Sequence, residues 1–210
     1  AERGSPVVLQ EYVAGPASNH YFIDGFVDSQ GVLRARLVRR RLRMYPPRFG
    51  NSSYMVTVNP SEAGNAVPDL ERLLMESGYR GIFSAEFKKD ERDGIFKILE
   101  VNARPWWFIE FTALCGMNTA EMSYRDALGL PVASVEKYAV GRYFIHPYFD
   151  ISACIRAGPS RWKGILLFLR SLPGADRPLF RWDDPVPGVR DFGRLAKSYL
   201  TRRFGGGADA

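Results

Sequence analysis

Apolar positions in the first sixty residues follow the pattern of β-strands. They form runs of β-branched and aromatic residues, or alternate with polar residues at period two, the spacing at which successive side chains of a strand point to opposite faces. Gly15-Pro16 and the turn Ser29-Gln30-Gly31 separate the first three runs. The predicted strands are Val7–Val13, Tyr21–Asp28, Val32–Arg43 and Tyr54–Val58. Because short turns join neighbouring strands in antiparallel pairs, this part of the chain predicts an antiparallel sheet.

Helical spacing interrupts the strands further along the chain. Leu70, Leu73 and Leu74 recur at the spacing of one helix face, and Gly78 follows as a helix terminator. The predicted helices are Pro68–Ser77 and Phe108–Gly129, the latter broken at Gly116, and the strands between them are Gly81–Lys88 and Ile95–Ala103. This order predicts an α+β fold, in which an antiparallel sheet carries helices on one face.

The chain changes character from about Val135, where aromatic residues and prolines become frequent. Helical periodicity returns in Ser160–Leu172 and Val189–Phe204. The glycine-rich end, Gly205–Ala210, predicts a disordered tail. We therefore divide the chain into a main domain, residues 1–133, and a small helical extension, residues 134–210.

Composition excludes several classes of protein. The chain has 210 residues, of which 46% are hydrophobic, and this is enough for a sizeable core. It contains no run of about 18 apolar residues and begins without an apolar signal-peptide core, so no membrane span is expected. Cys115 and Cys154 lie far apart without metal-type spacing, which disfavours a disulfide scaffold or a zinc site. These features predict a soluble, cytoplasmic protein with reduced thiols.

Positive charge is concentrated in one segment. Seven of the arginines lie between residues 34 and 48, where there is no acidic residue. Nucleic acid, a membrane surface and nucleotide phosphates all fit such a charge, and a solvated edge strand is the plain alternative. Arg39-Arg40-Arg41 breaks the alternation, so at least one arginine points inward and needs an anion, for which we favour phosphate. Tyr45 is the only aromatic residue in the segment, which disfavours RNA.

The hairpin predicted over residues 81–103 contains a candidate metal site. If Arg92-Asp93-Gly94 forms a three-residue loop with Gly94 left-handed, Glu86 lies directly opposite Glu100. Alternation then places Glu86, Glu100 and Asn102 on one face and an apolar set on the other, namely Phe83, Ala85, Phe87, Leu99 and Val101. Two opposed carboxylates repel unless a cation lies between them, and oxygen ligands suit magnesium. The alternative is a solvated edge hairpin, since a shift of one residue would separate the two acids.

The same hairpin resembles the metal-site motif of ATP-grasp enzymes, the superfamily of biotin carboxylase, carbamoyl-phosphate synthetase and D-alanine:D-alanine ligase. The resemblance rests on Glu86-Phe87, the turn at Gly94 and Glu100-Val101-Asn102-Ala103-Arg104. It implies that Glu86, Glu100 and Asn102 bind Mg²⁺, or Mn²⁺, together with ATP, and that the catalytic residue Arg104 faces the acyl phosphate or the incoming substrate. Positioning and charge neutralisation are what phosphoryl transfer requires.

Upstream, Leu9-Gln10-Glu11-Tyr12-Val13-Ala14-Gly15 resembles the hinge strand that contacts adenine in this superfamily. The resemblance implies that Gln10, Glu11 and the backbone of Tyr12 and Val13 meet the adenine edge. No acid follows to hold the ribose, which leaves Asn19 or His20 as substitutes. In the basic segment, the resemblance to biotin carboxylase-like members makes Arg40 and Arg41 candidates for nucleotide binding and Arg43 a candidate for catalysis.

A resemblance over about residues 7–132 implies an ATP-dependent ligase that joins small-molecule carboxylate and amine substrates through an acyl phosphate. Such enzymes place an α/β domain and a first lobe before the hinge, and six residues cannot supply them. We therefore expect the C-terminal lobe alone, as a fragment or as part of a split enzyme that needs an N-terminal lobe or partner chain. No nucleic acid is expected as a partner. A basic RNA- or polyanion-binding module and a non-catalytic ATP-grasp remnant remain the alternatives.

Overall fold

The computed structural model of the chain describes residues 9–47, 49–177, 184–190 and 193. Its strands are β1 His20–Val27, β2 Leu33–Tyr45, β3 Asn51–Val58, β4 Gly81–Lys89, β5 Phe96–Asn102, β6 Tyr143–Ile145 and β7 Ala175–Asp176. Its α-helices include α1 Ala66–Glu76, α2 Ile109–Leu114, α3 Thr119–Ala127, α4 Pro147–Ala157 and α5 Arg161–Ser171. In the described ranges, none of the helices has both the length and the apolar character that crossing a membrane requires.

All seven strands belong to one sheet, in the order β5-β4-β1-β2-β3-β6-β7. Neighbouring strands are antiparallel except for the short parallel pair β6 and β7. The prediction of an α+β fold with a mainly antiparallel sheet is therefore confirmed. Strand β1 lies at the centre beside β2 and β4, so residues far apart in sequence meet on the sheet.

Helices cover both faces of this sheet, whereas the sequence pattern placed them on one. On one face, Val38 packs in a cluster with Leu70 and Leu74 of α1. On the other face, Leu37 packs with Phe111 of α2 and Met122 of α3. Leu37 and Val38 are neighbours on β2 and both are fully buried, so their side chains point in opposite directions and each face needs a cover.

Most predicted elements agree with the structure, but one predicted strand is wrong and α4, β6 and β7 were not predicted. The predicted strand Val7–Val13 is wrong over residues 9–13, which run outside the sheet, and Val7 and Val8 lie outside the described residues. The helix α4, Pro147–Ala157, was missed. The segment predicted as one helix, Phe108–Gly129, is α2 and α3 separated around Gly116, as expected. The predicted helix Val189–Phe204 falls mostly, and the tail Gly205–Ala210 wholly, outside the described residues.

The residues after 133 are tied to the sheet by one ionic contact and by strand pairing. The Arg43 guanidinium donates from Nε and Nη2 to the two carboxylate oxygens of Asp150 on α4, at 2.8 and 2.7 Å. Nη2 also donates to Ser171 Oγ of α5 at 2.7 Å. Asp150 is fully buried, and β6 pairs with β3. This contact holds α4 and α5 beside the end of β2.

Candidate functional site

An open cleft of about 810 Å³ lies on the sheet face against which α2 and α3 pack, in the part of that face that the two helices do not cover. Its floor is formed by side chains of β1, β2, β4 and β5, and its rim by residues 9–13 and the loop before β3. The lining residues used below are Gln10, Glu11, Tyr12, Val13, His20, Arg41, Met44, Glu86, Lys88, Leu99 and Glu100. Seven of the predicted site residues are therefore in one cleft: Gln10, Glu11, Tyr12, Val13, Arg41, Glu86 and Glu100.

The two acids of the hairpin are directly opposite each other, as predicted. Glu86 of β4 pairs with Glu100 of β5, although the turn that joins the strands differs from the expected three-residue loop. The Asp90 N–H donates to the Ile95 carbonyl at 2.9 Å, so four residues form the loop. Gly94 is left-handed, with φ 73°, as expected. A shift of register between Glu86 and Phe87 then restores the predicted pairing of the two glutamates.

That register shift corrects the prediction for Leu99. Phe87 pairs with Ile98 and Glu86 with Glu100, so Leu99 is the extra residue of a β-bulge. Leu99 was expected on the core face, but it lines the cleft beside Glu100. The remaining apolar residues are on the core face as predicted, where Phe83, Ala85 and Phe87 are buried. The bulge thus adds an apolar side chain to a cleft that alternation alone would have left polar.

Glu86 is held by two neighbouring side chains. Its Oε1 lies 2.6 Å from His20 Nδ1 and 3.2 Å from Arg41 Nη2. Burial favours a raised pKa for Glu86, but the hydrogen bond from His20 and the charge of Arg41 outweigh it and lower the pKa. Burial lowers the pKa of His20 and brings that of Arg41 to about 10. An ionised Glu86 accepts from His20 Nδ1, and the Arg41 guanidinium supplies a balancing charge.

Glu100 is more exposed than Glu86 and is oriented by Asn102. The Asn102 Nδ2 donates to Glu100 Oε1 at 2.7 Å, which leaves the amide oxygen of Asn102 on the same strand face. Asn102 itself pairs with Ser84 of β4 and is half-buried. The three predicted metal ligands are therefore neighbours on one sheet face, with Glu100 between the other two.

The donor chemistry of this trio suits magnesium. Mg²⁺ is usually held by one or two carboxylates while water and substrate phosphates complete its shell, so two carboxylates and an amide oxygen are sufficient. Within residues 9–47 and 49–177, no three Asp, Glu, His or Cys side chains form a metal-binding group of their own. A cation at Glu86 and Glu100 would therefore depend on ligands beyond those two carboxylates, as a nucleotide-bound magnesium does.

The predicted hinge residues border the cleft through side-chain contacts instead of strand pairing. Gln10 Nε2 donates to the Leu99 carbonyl at 3.0 Å, and Glu11 accepts from Arg92 Nη2 at 2.7 Å. Val13 is buried, whereas Tyr12 is 63% exposed at the rim. These contacts place residues 10–13 against the β4–β5 hairpin, across the cleft from Arg41.

Carboxylates of the protein satisfy most of the arginines on β2. Arg39 binds Asp24, with Nε and Oδ2 2.6 Å apart, and both residues are buried. The expectation that an arginine points inward and has an anion is confirmed, but its anion is a carboxylate and not a phosphate. Ion pairs also join Arg34 to Asp28, Arg36 to Glu71, Arg41 to Glu86 and Arg43 to Asp150. Such a strand offers little free charge to a polyanion.

Four predicted residues do not line the cleft, and one of them, Asn102, is joined to it only through its hydrogen bond to Glu100. Arg40 points to the opposite sheet face, where it stacks on Tyr21 and donates from Nε to the Ser18 carbonyl at 2.7 Å. Arg43 holds Asp150, as described above. Arg104 is exposed beyond the end of β5 and donates to the Pro105 carbonyl at 3.3 Å. The structure therefore gathers Arg41, but not Arg40, Arg43 or Arg104, with the two glutamates.

Sequence reasoning missed Lys88 and mentioned His20 only as a substitute for a ribose contact. Both belong to the cleft because β1 pairs with β4, which sets His20 opposite Lys88 and Phe22 opposite Glu86. Sixty or more residues separate these partners, and no local pattern reports such a pairing. The alternation that placed Glu86 on the cleft face does place Lys88, two residues further on, on the same face.

Comparison with known proteins supports the fold. No family model matches the chain. D-aspartate ligase of Enterococcus faecium (strain Aus0004) is 25% identical over 122 residues, which are 58% of this chain and 29% of that protein. The phosphoribosylaminoimidazole carboxylase ATPase subunit of Aquifex aeolicus matches 80% of this chain and 58% of its own, with 14% identity and a TM-score of 0.54.

A second solved structure, biotin carboxylase of Campylobacter jejuni in a β-γ-ATP complex, has a TM-score of 0.50 and 17% identity. The match covers 64% of this chain and 30% of that enzyme. The chain therefore spans less than two thirds of the length of each of these relatives.

Proposed function

We propose that this chain is a member of the ATP-grasp superfamily and that its cleft is the nucleotide- and magnesium-binding part of an ATP-dependent carboxylate–amine ligase. One observation carries the proposal: Glu86 and Glu100 are opposed across two strands, in a cleft that residues 10–13 and Arg41 also line. Arg41 balances the charge of Glu86, but among the described residues Glu100 has no ion-pair partner, so a further cation between the two carboxylates is favoured. A nucleotide supplies such a cation together with its phosphates.

The proposal assigns a role to each group of residues. Gln10, Glu11 and the backbone of Tyr12 and Val13 meet the adenine edge, and Arg41 lies nearest to the phosphates. Glu86, Glu100 and Asn102 hold magnesium, which neutralises phosphate charge when it is bound. Arg40 and Arg43, which bind Ser18 and Asp150, have no contact with ATP in this assignment. Arg104, exposed at the end of β5, is free to meet the second substrate.

The reaction that this site would serve has two steps. A carboxylate oxygen attacks the γ-phosphorus of ATP, the bond to the β–γ bridging oxygen breaks, and ADP leaves an acyl phosphate behind. The lone pair of an amine then attacks the acyl carbon, phosphate departs, and the amine loses a proton. The name of the relative D-aspartate ligase supports an amino acid as one substrate. The residues of the cleft contribute by orienting ATP and balancing its charge.

A second protein lobe over the cleft is part of the proposal. Leu9 is 94%, Tyr12 63% and Phe49 78% exposed, so the rim presents apolar side chains to solvent. A covering lobe would bury them and exclude water, which an acyl phosphate requires. We expect the chain alone to hydrolyse ATP slowly or not at all.

A nucleotide titration tests the proposal. ADP is added to the isotope-labelled chain with and without magnesium, and backbone NMR shifts are followed in the wild type, Glu100→Gln and Glu76→Gln. Glu76 is exposed at the end of α1, on the other side of the sheet, so its variant is the control. We expect magnesium to strengthen ADP binding in the wild type and the control but not in Glu100→Gln. ADP binding that depends neither on magnesium nor on Glu100 would refute the assignment.

A further inference from the structure

Lys88 is a buried cation that the ligase assignment does not use. Only 5% of its surface is exposed, and it lies on the cleft face of β4, two residues beyond Glu86. Its Nζ is 5.2 Å from the centre of the Tyr12 ring. Among the described residues, no carboxylate lies within salt-bridge distance of this amine.

The methylene chain of Lys88 accounts for the burial, while its Nζ opens onto the cleft and the side pocket. An ammonium group at the end of a buried side chain is favoured by a partner charge or a set of hydrogen bonds. The Tyr12 ring offers a cation–π contact, but this ring is itself mostly exposed, where such contacts are weak. Tyr12 therefore accounts for the direction of the side chain and not for its burial.

The nearest carboxylate is already occupied. Glu86 accepts from His20 and is ion-paired with Arg41, so its negative charge is already balanced and is not available to pair with Lys88. The other glutamates that line the cleft, Glu11 and Glu100, form no ion pair with Lys88.

The surroundings of Lys88 indicate where an anion would bind. A side pocket of about 450 Å³ adjoins the main cleft, and Tyr12, His20, Met44 and Lys88 line both. Arg43 and Arg156 also line the side pocket, and none of its lining residues is acidic. Lys88 thus stands at the junction between a cleft with three glutamates and a pocket without any.

We propose that Lys88, together with Arg156 of the side pocket, forms an oxyanion-binding subsite at the junction of the main cleft and the side pocket. Its ligand is a phosphate or carboxylate group of a molecule that reaches from the cleft into the pocket. The subsite goes beyond the proposed function and rests on the surroundings of Lys88 alone, so it does not require that ATP is the nucleotide bound next to it.

Calorimetric titration with two oxyanions tests the subsite. Sodium tripolyphosphate and sodium succinate, probes for the phosphate and carboxylate sources, are titrated separately into the wild type, Lys88→Met, Lys88→Arg and Lys89→Met. Lys89 is the matched control, since it is the next residue of β4, is exposed, and points to the opposite face over Phe96. Loss of a charge-assisted contact in Lys88→Met should weaken one of the oxyanions about tenfold, or ~1.4 kcal/mol.

Lys88→Arg and Lys89→Met should bind within about twofold of the wild type on the same scale. Weakening of tripolyphosphate alone identifies a phosphate subsite, and weakening of succinate alone a carboxylate subsite. The proposal is overturned if Lys88→Met binds both probes like the wild type, if Lys89→Met weakens them equally, or if the wild type binds neither.

A measurement on the wild type covers the case in which Lys88→Met does not fold. NMR of the lysine side chains during the same titrations should show larger shifts at Lys88 than at Lys89, and equal shifts would again overturn the subsite. The outcome is separable from that of the ADP experiment. Oxyanion binding through Lys88 without magnesium-dependent ADP binding supports the subsite and refutes the ligase. Magnesium-dependent ADP binding without oxyanion binding through Lys88 supports the ligase and refutes the subsite.

Discussion

The ion pair between Asp24 and Arg39 shows how single residues support the cleft from below. Asp24 also accepts from Ser84 Oγ at 2.7 Å, and all three residues are buried on the sheet face that continues into the cleft. Asp24→Asn would leave the Arg39 charge without a counter-ion, so we expect unfolding in urea to show a loss of about 3–5 kcal/mol. Asp69→Asn, which breaks the exposed pair with Arg72, should cost less than about 1 kcal/mol. Equal effects would contradict this account of the buried pair.

The two cysteines give a prediction with a pH sign. Both thiols are free and buried, and burial raises the pKa of Cys115 to about 12 and that of Cys154 to about 11. Because only the thiolate reacts, the folded protein should resist alkylation by iodoacetamide at pH 8, and denaturant should expose both thiols. As the pH rises above the ordinary thiol value of 9.0, the unfolded chain ionises first and stability falls. Rapid labelling of native protein at pH 8 would show that these thiols are accessible.

At the scale of elements, the packing of β1 against its neighbours depends on Gly25. A Cβ there would lie 2.3 Å from the Ala35 carbonyl oxygen and 2.6 Å from Phe83 Cζ, so Gly25 allows both to approach the strand. Gly25→Ala must move β2 or the Phe83 ring, and we expect it to cost about 1–3 kcal/mol. Urea unfolding monitored by circular dichroism measures this loss. Wild-type stability would mean that the close approach can relax without cost.

The β4–β5 hairpin shows how far element-scale prediction from sequence can reach. Alternation and the glycine turn, which both depend on local chemistry, led to the observed pairing of Glu86 with Glu100. The loop length was wrong, and the pairing survived only because the bulge at Leu99 compensated for it. A bulge depends on the twist and the packing around a strand, so alternation alone cannot place it.

The errors at residues 9–13 and in α4 have a different origin. Residues 9–13 have the composition of a strand and lie beside the edge strand β5, but Gln10 bonds to the Leu99 carbonyl by its side chain and no strand pairing forms. Helix α4 begins at Pro147 after His146, in a stretch whose aromatic residues conceal the helical period. The hydrogen-bonded ion pair that fixes α4, between Asp150 and Arg43, joins residues that are 107 positions apart in the sequence. Such contacts belong to the tertiary structure and have no local signature.

At the scale of the whole molecule, charge pairing decides between the ligase and a polyanion binder. Five arginines of β2 already bind carboxylates, so the net charge of +6 does not form a free basic stripe on that strand. We expect fluorescently labelled RNA to bind weakly and with little dependence on salt. An RNA-binding surface would instead show a log-log salt slope near −0.7 for each phosphate contacted. Tight, salt-steep binding would return the polyanion module to first place.

The sequence reveals only the part of the candidate site whose residues lie on two strands joined by a short turn. Glu86, Glu100 and Asn102 were found because they share one hairpin. His20, Arg41 and Lys88 come to the same cleft through β1 and β2, whose pairing is set by the sheet as a whole. The acidic part of the site is therefore local, and its basic part is a product of the fold.

The most direct test of the central claim is to locate a bound divalent ion in the cleft. Mn²⁺ replaces Mg²⁺ with similar oxygen ligands, and its unpaired electrons broaden NMR signals of nearby residues. With Mn²⁺ and ADP added together, the account predicts that the amide signals of Glu86, Glu100 and Asn102 broaden first, while those of α1, across the sheet, remain sharp. Broadening centred elsewhere, or none that depends on ADP, would contradict the claim that this cleft is a metal–nucleotide site.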